Sequence, residues 1–182
     1  MSDSLLLDTL RERRTVRRYT DQEVTMEEVK ALLAAAMSAP SMLNRRPWHF
    51  VVVRAPETRE LVVDSLRLHP GLGSAPVFVA VLADGGKSPT WRLDLSGAIQ
   101  NLLLAATGMG LGAAWINAAD SAAVEGAAPA LRRALHIPEH FSLLAFVAVG
   151  HPAEQLPPHE EDPMFFSTRV HYDRWNQRLI SR

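Results

Sequence analysis

Four guanidinium groups crowd around Thr15 and Val16, with Arg13 and Arg14 before them and Arg17 and Arg18 after. Forked N–H donors beside a hydroxyl suit a phosphate monoester, which carries close to two negative charges and accepts several bonds at once. The same cations also suit the end of a helix, where the peptide dipole is negative, so the run alone leaves both readings open. A second stretch, 39–53, reads Ala-Pro-Ser-Met-Leu-Asn-Arg-Arg-Pro-Trp-His-Phe-Val-Val-Val. Pro40 stops a preceding helix, Ser41 and Asn44 offer short polar side chains in an irregular turn, and Pro47 closes the turn before a buried strand. That order holds Ser41 and Asn44 at a fixed point beside the core, which fits ligand contact and fits an ordinary capped loop equally well.

Other candidates carry less. Gly108-Met-Gly-Leu-Gly112 has some of the spacing of a dinucleotide fingerprint, but it follows a helix and precedes a strand. That is the reverse of the order such a fingerprint needs, so these glycines read as a helix cap and a tight turn. His136 and His140 stand four apart, yet Pro138 breaks the helix that would align them, and no metal site is assigned. The chain has no cysteine, which removes disulfides, thiolate metal ligands and cysteine nucleophiles. Its formal net charge of −1 gives no reason to expect nucleic acid or an anionic membrane as a partner. No apolar run suits a membrane span or a secretory signal, so a soluble, cytoplasmic protein is the expectation.

The elements that must position these residues follow from periodicity. Helices are expected at 4–12, 25–37, 56–67 and 93–107, with a further helical stretch at 121–135 in which Pro129 starts a second segment. Thr25 and Glu28 form a capping box at the head of the second helix. Strands are expected at 49–54, 76–83, 113–116 and 143–150, with a loop at 68–74 and a short flexible link at 84–89. The helix at 93–107 is apolar almost all round and needs cover on most sides, at a domain centre or an oligomer interface. A length of 182 residues favours a single domain over 1–182. Within it, 154–182 has too little apolar surface to fold alone and reads as a C-terminal arm.

Four blocks, taken in order, resemble the flavin-dependent nitroreductase family from about Leu10 to Trp175. Arg13-Arg14-Thr15-Val16-Arg17 is similar to that family's Arg-Arg-Ser-x-Arg block. Ala39-Pro40-Ser41, Asn44 and Arg46-Pro47-Trp48 match its Ala-Pro-Ser-x-x-Asn-x-Gln-Pro-Trp block. Gly108, Gly110-Leu111-Gly112 and Trp115-Ile116-Asn117 resemble its glycine turn and flavin-side strand. Ile137-Pro138 with Val149-Gly150 and Pro152 resembles its closing strand.

The resemblance implies an α+β sandwich with a mainly antiparallel central sheet flanked by helices, in an intertwined homodimer that holds two FMN molecules at its interface. It implies that Arg13, Arg14, Thr15 and Arg17 bind the FMN phosphate and ribityl chain, with Arg169 of the arm completing the phosphate site. Pro40, Ser41, Met42 and Asn44 would reach the flavin from the other subunit, and the arm would pack on that subunit. The strand end at Ile116, Asn117 and Ala118 would offer backbone N–H to flavin N5. Three departures stand out: Arg46 where glutamine is usual, Asn117-Ala118 where one branch has Glu-Gly, and short links at 68–74 and 84–89 where many relatives carry a helical lid.

The implied activity is an FMN-dependent oxidoreductase that takes hydride from NADH or NADPH, a transient donor, and reduces a small electron-poor acceptor such as a nitroaromatic or quinone. The cofactor carries that chemistry, so no catalytic side chain is named. Reductive dehalogenation, oxygen-dependent breakdown of flavin, and a flavin-binding or sensing module with little turnover are the alternatives.

Overall fold

The structure, a computed structural model, describes residues 5–118, 127–159 and 166–176. Four strands form one sheet: β1 (Trp48–Val53), β2 (Val77–Asp84), β3 (Gly112–Asn117) and β4 (Phe141–Gly150). Their order is β1-β2-β4-β3, and every neighbouring pair is antiparallel. β2 and β4 lie at the centre and are buried along nearly their whole length, which is why both read as continuous apolar runs without alternation. β1 and β3 are the two edges.

Helices cover both faces: α1 (Leu5–Glu12), α2 (Met26–Met37), α3 (Pro56–Ser65), α4 (Pro70–Gly73), α5 (Trp91–Gly108) and α6 (Ala127–Ala134). On one face Val77, Val79 and Val81 pack with Leu32 of α2 and Leu95, Ile99 and Leu102 of α5. On the other, Phe78, Ala80 and Phe146 pack with Val62 of α3 and Leu131 of α6. The expected sandwich with an antiparallel sheet is therefore present.

Two local expectations need adjustment. A single turn of helix, α4, replaces part of the loop at 68–74. Pro70 occupies its first position and His69 Nδ1 accepts the Gly71 N–H at 3.1 Å, a start signal too short to show as periodicity. Pro129 lies inside the first turn of α6, where a missing N–H breaks no helical bond, as suits a proline near the start of a helical segment. Residues 121–126 of the expected alanine-rich stretch, and the arm at 160–165 and 177–182, lie outside the described residues. Finally, the link at 84–89 is anchored: Ser88 is fully buried, and its Oγ donates to Asp94 Oδ2 at 2.7 Å.

The two ends read from sequence for α2 and α5 are well defined. Thr25 Oγ1 accepts the Glu28 N–H at 3.2 Å, and Glu28 Oε2 accepts the Thr25 N–H at 2.7 Å, closing the capping box. These bonds hold the Glu28 carboxyl below the ordinary carboxylate range. Thr25→Ala is expected to lower stability by about 1 kcal/mol, read as a shifted denaturant midpoint at constant slope. Because the folded chain holds the Glu28 proton more weakly than the unfolded chain does, this contribution is present at neutral pH and is lost as pH falls through the lowered folded value. An unchanged midpoint would exclude it. At the other end, α5 stops at a Schellman turn: Leu111 N–H donates to Ala106 O at 2.8 Å and Gly110 N–H to Thr107 O at 3.0 Å, with Gly110 at φ +73°.

After α1 the chain crosses one end of the sheet. Val16 N–H donates to Ala113 O at 3.1 Å, Thr20 N–H to His151 O at 2.9 Å, and Ala153 N–H to Arg18 O at 3.0 Å. The arginine run is thus strapped across the start of β3 and the end of β4, and is not a continuation of α1.

Candidate functional site

The strap carries the first half of the site. Tyr19 anchors it: the ring is buried, and its hydroxyl donates to Val16 O at 2.6 Å. Burial pushes that phenol well above its ordinary value, so it stays a neutral donor. Around the strap lies a cavity of about 580 Å³ lined by Arg13, Arg14, Thr15, Arg17, Arg18 and His69, together with Glu154, Leu156 and His159. Because His69 Nδ1 accepts from Gly71, its ring proton sits on Nε2, making the histidine one more donor. A donor set this rich, set against a single carboxylate among the described residues, fits a doubly charged phosphate.

His69 was not singled out in the sequence, and nothing in its own neighbourhood marks it. It arrives through α4, which lies so close to the strap that a Cβ at Gly71 would stand 2.5 Å from Arg17 O. Arg14 is partly committed elsewhere, since its Nη1 donates to Pro157 O. Arg169 is not among the residues lining the cavity; its guanidinium stacks 4.5 Å above the Phe166 ring.

β3 supplies an edge running away from this cavity, which no described residue pairs with beyond the strap's bridge at Ala113. Ala113 O accepts from Val16 on the outer side, so by the two-residue period of a strand Trp115 and Asn117 also turn their N–H and C=O outward. Ile116 then faces β4, and Ala118 N–H donates to Leu144 O at 3.1 Å. Of the three residues expected to offer an N–H at this strand end, Asn117 alone has one directed outward.

The turn 41–46 forms the second half. Met42–Asn44 make one short 3-10 turn, and Leu43, Asn44 and Arg46 all have positive φ, at 50°, 55° and 48°. Non-glycine residues in that region cost on the order of 1–3 kcal/mol each and persist only where the surroundings impose them. Here the surroundings are explicit. Arg46 N–H donates to Ser41 Oγ at 2.9 Å, Met42 N–H to the buried Asp94 Oδ1 at 3.1 Å, and Arg45 Nη1 to Lys87 O at 3.1 Å. Burial and the neighbouring Lys87 push His49, just beyond the turn, below its ordinary value, so it is neutral at pH 7. The fixed cations of this corner are the arginine and lysine side chains.

One chain does not bring the halves together. Trp48 pairs with Ala83 at one end of the sheet, whereas Ala113 pairs with Val149 at the other, and β1 and β3 are opposite edges. The turn and the arginine strap therefore occupy diagonal corners, about 27 Å apart from strand spacing and rise. Even at its own end of the sheet the turn is separated from Asn117 by two intervening strands, about 14 Å.

A family model described as "Nitroreductase family" matches residues 10–69 and 60–151. A protein of Methanothermobacter thermautotrophicus, provisionally named NADH dehydrogenase/NAD(P)H nitroreductase, is 38% identical over 176 residues, covering 93% of this chain and 87% of the relative. A crystal structure from Bacteroides thetaiotaomicron, of a protein given the same provisional name, superimposes with TM-score 0.86 at 34% identity, over 96% of this chain and 100% of that one. A provisionally assigned nitroreductase from Desulfovibrio desulfuricans, solved in complex with FMN, gives TM-score 0.76 at 30% identity, over 88% of this chain and 93% of that one.

Proposed function

The chain belongs to the nitroreductase family, and on that premise we propose that it is an FMN-dependent oxidoreductase working as a homodimer. It takes hydride from NADH or NADPH and passes electrons to small electron-poor acceptors of the nitroaromatic or quinone kind. The observation that carries this reading is the split site: a phosphate-suited strap and an over-determined turn at diagonal corners, each incomplete alone.

The residues fit the cofactor in kind. Arg13 and Arg17, with Thr15 between them, would hold the phosphate, and Arg14, His69 and Arg18 add donors around it. The Asn117 N–H would donate to flavin N5, where a preorganised donor stabilises charge as it develops. Pro40, Ser41, Met42 and Asn44 of a second copy would close the ring from the other side. FMN, when bound, supplies the hydride chemistry, and no side chain is required as acid, base or nucleophile.

Exposed apolar surface supports the dimer. α1 buries none of its residues, leaving Leu5 83% and Leu6 61% exposed, and on α5 Leu93 is 72% exposed opposite the buried face. Trp175 of the arm is exposed as well. Obligate interfaces commonly bury more than about 2,000 Å², and these surfaces suit one.

Purified protein is expected to be yellow, to release FMN and no FAD on denaturation, to sediment as a dimer at micromolar concentration, and to bleach anaerobically with NADH or NADPH. Release of FAD, or failure to take up any flavin on reconstitution, contradicts the cofactor assignment. Bound flavin that neither nucleotide bleaches identifies a binding module, and a stable folded monomer removes the second copy from the site.

A further inference from the structure

Within the strained turn, Arg46 determines what its neighbour can recognise. Its Nε–H donates to Asn44 Oδ1 at 2.8 Å while its backbone N–H holds Ser41 Oγ. A guanidinium has donors only, so the atom of the Asn44 amide that faces it is the oxygen. The two Nδ2 hydrogens remain as the recognition group, and no described residue accepts from them. Ser41 Oγ and Asp94 Oδ1 pin the turn's backbone at Arg46 and Met42, which fixes where the Asn44 side chain starts, and Arg46 Nε–H then orients its amide. Asn44 is thereby a hydrogen-bond donor with a fixed positive charge beside it.

We propose that Arg46 is a positioning residue: it locks Asn44 as a donor and so makes this corner bind the reduced flavin more tightly than the oxidised one. The inference rests on the functional reading above, in which Asn44 meets the ring of the flavin held by the other subunit. A carbonyl on the pyrimidine edge gains negative charge on reduction, and a donor already aimed at it gains more from that charge than from the neutral ring. A ring N–H would instead need an acceptor, and Arg46 Nε–H already occupies one of the two lone pairs of Asn44 Oδ1 and holds that oxygen toward itself. Glutamine at position 46 would carry no charge and could face Asn44 with either end of its amide, leaving Asn44 free to serve in both roles.

The test is the two-electron reduction potential of bound FMN in the wild-type protein, Arg46→Gln and Arg46→Lys, with FMN affinity measured alongside. In Arg46→Gln the preference for reduced over oxidised FMN is expected to fall about tenfold, a drop of about 30 mV. Affinity for oxidised FMN should change less than that. Arg46→Lys keeps the charge but lacks the rigid Nε–H that holds the amide, so it is expected to recover only a minor part of the shift. An Arg46→Gln protein that binds FMN at the wild-type potential overturns the inference, and so does full recovery in Arg46→Lys. The lysine variant decides alone if the glutamine variant does not fold. A wild-type protein that takes up no FMN overturns the functional reading itself, which distinguishes the two failures.

Discussion

Dimers that pair an Arg13→Ala, Arg17→Ala chain with an Asn44→Ala chain are expected to hold one FMN at the wild-type potential. Each arginine removes a charge-assisted bond worth on the order of 1.5–3 kcal/mol, so the doubly substituted homodimer should bind FMN roughly a hundredfold or more weakly. The Asn44→Ala homodimer should keep FMN but at a shifted potential, since in the proposed site the lost donor would face the ring and not the phosphate. In the mixed dimer one site combines intact arginines from the Asn44→Ala chain with an intact turn from the other chain. The opposite site lacks both. Were strap and turn to serve the same flavin from one chain, every site would carry a defect, and the single retained FMN would show the shifted potential. Two different affinity tags isolate the mixed species, and stoichiometry with potential reads the answer. The diagonal placement of Thr15 and Trp48 across the sheet predicts the first result.

The parts of this arrangement that depend on local chemistry were legible in the sequence. Valines without alternation marked β2 as a buried strand, and Thr25 with Glu28 marked the start of α2, because both signals lie within a few residues. Proline on either side of Ser41 and Asn44 marked an irregular turn, although nothing local foretold positive φ at three non-glycine residues. That conformation is imposed by Asp94, 52 residues on from Met42 in sequence, whose own burial is tolerated because Met42 N–H, Ser88 and Thr90 bond its oxygens. His69 entered the arginine cavity by the same kind of long-range placement. The strand-end donor shows a subtler limit. Ile116, Asn117 and Ala118 are equivalent as letters, and the bonds from Val16 to Ala113 and from Ala118 to Leu144 fix which of them faces the open edge.

Gly112→Ala and Gly110→Ala, two positions apart, are expected to fail for different reasons. A Cβ at Gly112 would stand 2.7 Å from Val16 Cβ and Cγ1 and 2.8 Å from Cγ2. Val16 has no rotamer that relieves this, because its Cβ is fixed to a backbone already bonded to Ala113 O. The strap must therefore lift from β3, at a cost of about 1–3 kcal/mol in stability. Thr15 and the flanking arginines move with it, so FMN affinity should fall at least tenfold in the same variant, by loss of about one well-made bond to the phosphate. Gly110 meets the opposite situation: its φ is +73°, and a Cβ there finds nothing within 4 Å. Alanine at 110 costs only the left-handed backbone, about 1–2 kcal/mol, and leaves the strap seated. Thermal or denaturant midpoints should thus fall in both variants, while FMN affinity should fall only in Gly112→Ala. Equal losses of affinity, or none in Gly112→Ala, would show that seating the arginine strap on β3 is not what builds the phosphate half of the site.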